Sequence, residues 1–281
     1  MGLPLFPPGD DPGPSFSALL RRSGAPFDPS QPSDRIPATA AQHRTGAAPA
    51  VAHGTTVVAL RFADGVVMAG DRRATEGNVI AHRAMEKVFP ADRHSAVAIA
   101  GAAGPAVEMV KLFQTQLEHY EKVEGVALSL EGKANQLGQM VREHLPMAMQ
   151  GLVVVPLYAG FDVRRGLGRI FTYDVTGGHF EEADHAATGS GGRDARTTIK
   201  LGWRPDLGRD EAIELAVRAL YEAADEDAAT GGPDLVRQIF PLVATVTVSG
   251  YERVTDAEVA ERFSSLVERR AIGRGIAGGG P

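Results

Sequence analysis

The order of apolar patterns in this 281-residue chain predicts an α+β protein built as a four-layer αββα sandwich. Two β-rich runs, 55–61 and 66–71, flank Ala63-Asp64-Gly65, and Asp-Gly between apolar runs favours a tight hairpin. Two long segments with helical periodicity follow, and the order of strands and then helices repeats further along the chain. This order is typical of two antiparallel sheets packed face to face with helices on their outer surfaces.

The remaining elements follow from local signals. Short apolar runs at 87–89 and 95–100 predict two more strands. A helix is expected over 105–122, because Pro105 fits a first helical turn and Val110, Phe113 and Leu117 recur at helical spacing. The later predicted elements are a helix at 129–149, strands at 152–161 and 169–174, a helix at 210–224, a strand at 242–248 and a helix at 256–269.

The two ends of the chain differ in composition from the middle. Residues 1–54 hold ten of the 18 prolines and equal numbers of acidic and basic residues, so we expect a neutral, largely unstructured leader. Residues 272–281 are expected to form a flexible glycine-rich tail. The folded domain is therefore predicted over 55–271.

Composition excludes several classes of function. The absence of cysteine excludes disulfides, thiolate nucleophiles and Cys-ligated zinc, and the net charge of −6 argues against nucleic acid as the main partner. The eight histidines lack metal-like spacing, so we expect no metal and no cofactor. No apolar run approaches the roughly 20 residues of a membrane span, and no signal-peptide pattern is visible, so we expect a cytoplasmic protein without a membrane partner.

Thr55 is the strongest candidate for chemistry, because it lies where the leader meets the predicted domain, in His53-Gly54-Thr55-Thr56-Val57. Cleavage at the Gly54–Thr55 bond would give it a free α-amine, whose ordinary pKa of about 7.7–8.0 leaves a useful fraction unprotonated near neutral pH. That amine can act as general base for the hydroxyl of the same residue. The alternative is that Thr55 only begins a strand.

Asp71 and Lys87 are the predicted partners of Thr55. Asp71 ends the second strand of the hairpin, so it is expected beside the start of the first. Lys87 opens an apolar strand between Met85 and Val88, where partial burial would lower its pKa. An Asp–Lys pair beside a hydroxyl can relay a proton, whereas singly each residue can also be a turn residue or a solvated strand end.

Three further positions have the residue types of a hydrolytic site. Gly101 joins a strand to a helix, where a backbone N–H can point into a site as an oxyanion donor. Ser190 lies between glycines, which indicates close approach of another backbone. Asp227 lies where a helix ends, and an acidic group there opposes the helix dipole unless something else stabilises it.

Taken together, these residues resemble the β subunits of 20S proteasomes, most closely the actinobacterial ones, from about Gly54 to Arg270. Four motifs in matching order carry the resemblance: Gly54-Thr55-Thr56-Val57, Gly65-Val66-Val67-Met68-Ala69-Gly70-Asp71-Arg72-Arg73, Lys87-Val88, and Asp227-Ala228-Ala229-Thr230-Gly231-Gly232-Pro233-Asp234. The resemblance implies the N-terminal nucleophile hydrolase fold, and a threonine endopeptidase that removes residues 1–54 as a propeptide by cutting itself at Gly54–Thr55.

The resemblance also assigns roles to the candidate residues. Thr55 would be the nucleophile, Lys87 and Asp71 the catalytic relay, and the Gly101 N–H the oxyanion donor. Ser190 and Asp227 match positions that orient the N-terminal threonine. Thr230 stands where many relatives have serine, and we expect its hydroxyl to keep that role.

The resemblance implies a pocket for the residue before the scissile bond. By matching position, six residues would line it: Ala74, Met85, Phe89, Ile99, Ala103 and Val107. These side chains are apolar and none is charged, so we expect a chymotrypsin-like preference for large apolar residues.

The family assembles as two seven-membered β rings between two α rings, so the resemblance implies α subunits, other β subunits, a ring ATPase that delivers substrates, and unfolded protein substrates. Three alternatives remain open at this point. They are the two-ring bacterial relative with six subunits per ring, a ring subunit without activity, and an amidase of the same fold class that acts on a small metabolite.

Overall fold

Twelve strands and six helices occupy the residues that the computed structural model describes, 54–77 and 79–277. The predicted leader up to residue 53 and the last four residues of the predicted tail lie outside the described residues. The strands are β1 (Thr56–Phe62), β2 (Gly65–Gly70), β3 (Ala74–Glu76), β4 (Val79–His82), β5 (Val88–Asp92), β6 (Ser95–Gly101), β7 (Val154–Asp162), β8 (Leu167–Tyr173), β9 (His179–Glu182), β10 (His185–Gly189), β11 (Leu242–Thr247) and β12 (Gly250–Arg253). The helices are α1 (Ala103–Glu124), α2 (Leu130–Glu143), α3 (Leu145–Ala148), α4 (Gly192–Gly202), α5 (Arg209–Glu226) and α6 (Asp256–Ala277).

The strands form two five-stranded antiparallel sheets and one small hairpin. The first sheet has the order β10-β1-β2-β11-β12, and the second has the order β5-β6-β7-β8-β9. Strands β3 and β4 form a separate two-stranded sheet within the described part of the chain. Because β1 pairs with both β2 and β10 in antiparallel fashion, the start of β1 lies beside the ends of β2 and β10.

Three separate hydrophobic clusters show how the layers stack. One joins the first sheet to α4, α5 and α6, with Leu60, Ile199 and Leu220 among its members. Another joins the second sheet to α1 and α2 and includes Phe113 and Tyr158. The third fills the space between the sheets with the opposite faces of β1, β2, β6, β7 and β11. Three apolar interfaces separate four layers, which confirms the predicted αββα sandwich.

The predicted hairpin between β1 and β2 is confirmed, although Gly65 is needed for a reason other than the turn. Phe62 pairs with Gly65 across the turn, so the turn itself is Ala63-Asp64. A Cβ atom at Gly65 would lie 2.1 Å from the carbonyl oxygen of Val246 on β11. The glycine is therefore required by the close approach of a neighbouring strand.

Two predicted helix ends are wrong. The helix expected over 129–149 ends at Glu143, and the short α3 follows, because Pro146 has no N–H to donate within a continuous helix. The last helix continues from Asp256 to Ala277 instead of ending at residue 269. It passes through Gly273 and Gly275, since a glycine costs a helix only about 1 kcal/mol. The predicted glycine-rich tail therefore begins as helix.

Several short elements were not predicted: β3, β4, β9, β10, β12, α3 and α4. Most of them are short and partly exposed, so they have little of the apolar periodicity on which the prediction relied. The consequence for the site is that Ser190, expected in a tight turn, lies between the end of β10 and the start of α4.

Candidate active site

The candidate residues from both sheets lie at one end of the sandwich. Thr55 precedes β1, Asp71 follows β2 and Ser190 follows β10, and these three ends are neighbours in the first sheet. Lys87 precedes β5 and Gly101 ends β6, which are neighbours in the second sheet. The site is therefore assembled across the interface between the sheets.

Asp71 and Lys87 form a buried ion pair with a Nζ–Oδ1 distance of 2.7 Å. Asp71 is completely buried and Lys87 is 3% exposed. Thr56 N–H also donates to Oδ1 at 2.8 Å, while the N–H groups of Arg73 and Gly231 donate to Oδ2 at 2.9 and 2.8 Å. Four donors thus satisfy the acceptor sites of this buried carboxylate. The predicted proximity of Asp71 to the start of β1 is confirmed.

Lys87 makes two hydrogen bonds through Nζ, to Asp71 Oδ1 and to the carbonyl oxygen of Arg73 at 2.5 Å. Burial lowers the pKa of Lys87, and the attraction of Asp71 offsets only part of that effect. A neutral amine has two hydrogens, enough for these two bonds, and its lone pair then remains free to accept a proton. Lys87 is thus a lysine suited to accept a proton.

Ser190 contacts both the backbone N–H and the backbone carbonyl oxygen of Thr55. Thr55 N–H lies 3.3 Å from Ser190 Oγ, and Ser190 N–H donates to the Thr55 carbonyl oxygen at 2.8 Å. Ser190 Oγ in turn donates to Asp227 Oδ2 at 2.5 Å. The serine and aspartate, 37 residues apart in sequence, therefore act on Thr55 as one hydrogen-bonded unit.

Asp227 caps the C-terminus of α5, where the helix dipole disfavours a negative charge. Burial also opposes its ionisation, yet hydrogen bonds from Ser190, Thr230 and the Ala229 N–H outweigh it and lower the pKa of Asp227. The carboxylate is consequently stabilised in its ionised form. These hydrogen bonds are the stabilising contacts that an acidic group at a helix C-terminus requires.

Glycine is required at three points around Thr55. Gly189 has φ +101°, and a Cβ there would lie 1.8 Å from the Thr55 carbonyl oxygen. A Cβ at Gly191 would lie 2.7 Å from Thr56 Oγ1. Gly101 has φ +117° and would place a Cβ 2.1 Å from the Val153 carbonyl oxygen. The close approach expected around Ser190 is confirmed.

One cavity joins Thr55, Lys87 and Gly101. Its lining includes all six residues expected in the specificity pocket: Ala74, Met85, Phe89, Ile99, Ala103 and Val107. Gly54, Ala106 and Glu86 line it as well. The expectation of an uncharged lining is therefore incomplete, although Glu86 forms an ion pair with Arg253 at 2.7 Å and is partly exposed. A larger cavity, lined by His94, Lys133, Arg169 and others, contains none of the candidate residues.

Sequence reasoning missed two residues that belong to the site. Arg73 connects three parts of it, through its N–H to Asp71, its carbonyl to Lys87 and its guanidinium to the Ala228 carbonyl. Thr56 was quoted in a motif but given no role, although it bonds to both Asp71 and Thr230. Backbone contacts such as those of Arg73 leave no signal in residue type, whereas a polar residue opening an apolar strand could have singled out Thr56.

Two kinds of feature are absent from the described residues. Within 54–77 and 79–277, no three side chains of metal-binding type converge. No helix in the same part of the chain is both long and apolar enough to cross a bilayer.

The comparisons with known proteins agree with the geometry. Residues 51–236 match the family described as "Proteasome subunit". The chain is 61% identical over 277 residues to a "Proteasome subunit beta" of Acidimicrobium ferrooxidans, an alignment that covers 98% of this chain and 97% of that protein. It is 62% identical over 218 residues to a "Proteasome subunit beta" of Streptomyces griseus, which covers 78% of each. The chain therefore belongs to the proteasome subunit family and is of the beta type.

Proposed function

We propose that Thr55 is the nucleophile with which this beta-type proteasome subunit, a threonine protease, hydrolyses peptide bonds. The observation that carries the proposal is the shared cavity, in which Thr55 lies with a buried lysine of lowered pKa. A threonine hydroxyl is a weak nucleophile unless a nearby base accepts its proton. Lys87, held against Asp71, supplies that base.

The first reaction is self-cleavage at Gly54–Thr55. Thr55 Oγ1 attacks the Gly54 carbonyl carbon and loses its proton, the C–N bond breaks, and the Thr55 nitrogen takes a proton and becomes a free amine. Water then hydrolyses the resulting ester and releases residues 1–54 as a propeptide. Gly54 is suited to this step because its N–H donates to Thr75 Oγ1 at 3.1 Å and Ala229 packs closely against it, so the scissile peptide is held in place.

Substrate proteolysis uses the same groups. Thr55 Oγ1 attacks the carbonyl carbon of the scissile bond while Lys87 receives the proton, directly or through the new amine. The Gly101 N–H donates to the oxyanion, and the leaving amine takes a proton. Ser190, which bonds to Thr55 in the uncut chain and is itself held by Asp227, keeps the amine of Thr55 oriented.

The cavity lining supports a chymotrypsin-like preference. Seven of its lining side chains are apolar, so a large apolar side chain gains about 25 cal/mol per Å² of surface that it buries there. Glu86 is paired with Arg253, which reduces the charge it presents to a substrate.

Beta subunits of a proteasome core assemble with alpha subunits and with other beta subunits, and this chain is proposed to have the same partners. The finer arrangement, α7β7β7α7 with a ring ATPase that delivers unfolded proteins, and a cytoplasmic location are part of the proposal. The family membership and the match of nearly the whole chain to a beta subunit support it.

The decisive experiment measures the intact mass of the subunit after assembly with its alpha partner, beside a Thr55→Ala variant. We expect the wild-type mass to begin at Thr55 and the variant to retain residues 1–54 without activity. An uncut wild type in an assembled particle, or an active and processed Thr55→Ala variant, would overturn the proposal.

A further inference from the structure

Two hydrogen-bonded groups flank Thr55. The relay pair consists of Asp71 and Lys87. The orienting group consists of Ser190, Asp227 and Thr230. If Thr55 is the nucleophile, the first group moves its proton and the second holds its backbone, so the distance between the groups must be fixed.

The main chain of Thr56 belongs to the relay pair. Its N–H donates to Asp71 Oδ1 at 2.8 Å, the oxygen that also accepts from Lys87. Its carbonyl oxygen accepts from Asp71 N–H at 3.1 Å. Thr56 is completely buried, so no solvent competes for these bonds.

The side chain of Thr56 belongs to the orienting group. Thr230 Oγ1 lies 2.6 Å from Asp227 Oδ2, and an ionised carboxylate only accepts, so the Thr230 hydrogen points to Asp227. The 2.6 Å contact between the two threonine hydroxyls must then use the hydrogen of Thr56. The Gly191 N–H completes the chain by donating to Thr56 Oγ1 at 3.0 Å.

We propose that Thr56 is a positioning residue that couples the relay pair to the orienting group. Its hydroxyl fixes Gly191, the residue after Ser190, while its backbone fixes Asp71. Loss of the hydroxyl would release the Gly191 N–H and let Ser190 move relative to Lys87. The inference rests on the proposed role of Thr55 as nucleophile.

A purely structural role for Thr56 makes a different prediction. Every buried hydroxyl needs partners, so replacing it could lower stability without affecting turnover. The two roles separate when kcat and KM are measured on particles that have assembled and been processed. A positioning role lowers kcat at nearly constant KM, whereas a structural role lowers only the yield or the melting temperature.

The test compares Thr56→Val, which keeps the shape but removes the hydroxyl, with Thr56→Ser, which keeps the hydroxyl. In assembled, processed particles we expect kcat to fall about tenfold in Thr56→Val, the size of one hydrogen bond within a charged network, with KM within about twofold. Thr56→Ser should retain kcat within about threefold. Thr245→Val, another fully buried threonine of the same sheet, is the matched control and should keep wild-type kcat.

Wild-type kcat in Thr56→Val would overturn the inference, and so would an equal loss in Thr56→Ser. If Thr56→Val does not assemble, Thr230→Val removes the partner of the Thr56 hydroxyl and must reproduce the loss of kcat. Wild-type kcat there would also overturn it. Failure of the proposed function is distinct, because it would appear as activity that persists in Thr55→Ala.

Discussion

Lys87 Nζ and Asp71 Oδ1 lie 2.7 Å apart, and each comes from a different sheet of the sandwich. The pair is buried, Asp71 also accepts from the N–H groups of Thr56, Arg73 and Gly231, and Lys87 Nζ also donates to the Arg73 carbonyl oxygen. Its charge balance is therefore central to both the stability and the chemistry of this end of the molecule.

Replacing Asp71 by asparagine should reduce kcat at least about 100-fold, because Lys87 loses the partner that orients it. The asparagine amide also directs an NH2 group toward the donors that bind the carboxylate, and it leaves the buried Lys87 without its charged partner. This loss should cost about 3–5 kcal/mol of unfolding free energy. Peptide hydrolysis and denaturant unfolding measure the two effects. Asp174→Asn, which alters an exposed turn carboxylate with several donors, is the control and should change neither by much. Wild-type activity in Asp71→Asn would contradict the relay.

The pH dependence of peptide hydrolysis should follow the lowered pKa of Lys87. Since only the neutral amine accepts a proton, kcat/KM should rise with pH, and the midpoint should lie below the ordinary lysine value of 10.5. The same sign applies to stability: the native state disfavours the ammonium, so this group's contribution is present above pH 10.5 and is lost as the pH falls through the lowered pKa. A pH–rate profile of processed particles measures the midpoint of kcat/KM. A midpoint that is the same in Lys87→Arg would count against Lys87 as the proton acceptor.

Gly101→Ala should abolish most activity, because φ is +117° and the new Cβ would lie 2.1 Å from the Val153 carbonyl oxygen. Either the backbone shifts and moves the proposed oxyanion donor away from Thr55, or the particle fails to form. Gly104→Ala, three residues on in the first turn of α1, meets nothing within 4 Å and should leave activity unchanged. Equal activity of the two variants, measured per assembled particle, would argue that the Gly101 N–H has no role.

The specificity of the cavity can be altered at Val107, which lines it on α1. The wild type should cleave faster after leucine or phenylalanine than after arginine or glutamate. Val107→Asp should reduce cleavage after leucine about tenfold and make cleavage after arginine measurable, since a buried carboxylate favours a cationic partner. Val79→Asp on the exposed strand β4 controls for added charge. A fluorogenic peptide panel decides, and an unchanged preference in Val107→Asp would place the pocket elsewhere.

Processing should depend on the space around Gly54. A Cβ at this position would lie 1.8 Å from the Ala229 Cβ, so Gly54→Ala must displace the scissile peptide and should slow self-cleavage at least about tenfold. Ala229→Gly removes only the methyl group, and the Cα and carbonyl oxygen of residue 229 would still lie 2.7 and 2.8 Å from the new Cβ, so the double variant should recover little of the rate. The time course of intact mass after assembly measures both. A wild-type rate of self-cleavage in Gly54→Ala would contradict the prediction.

The sequence predicted the central strands and the long helices because their apolar periodicity extends over many residues. Strand β1 was placed within one residue of its observed bounds, and α1 within two. Short elements such as β10 and α4 were missed, since α4 buries only Gly192, Ala195 and Ile199. Their positions are determined by tertiary packing, which local patterns do not record.

The candidate site was predicted unevenly for a similar reason. The hairpin argument alone placed Asp71 beside the start of β1, and the structure confirms it. The convergence of Ser190 with Asp227 was anticipated only through the resemblance, because no local rule relates the residue after β10 to the residue after α5. The contribution of Arg73 was not foreseeable at all, because it depends largely on backbone atoms that every residue possesses.

The third hydrophobic cluster, which fills the space between the sheets, has a consequence beyond stability. It sets the separation between Thr55, which leads into one sheet, and Lys87, which leads into the other. Ala98 and Ala159 are completely buried in this cluster, yet in the proposed mechanism their volume affects how far a proton must travel between Thr55 and Lys87. If Thr55 and Lys87 act as proposed, a single added methylene in this layer would change the distance over which the proton moves, although the layer itself contains no catalytic group.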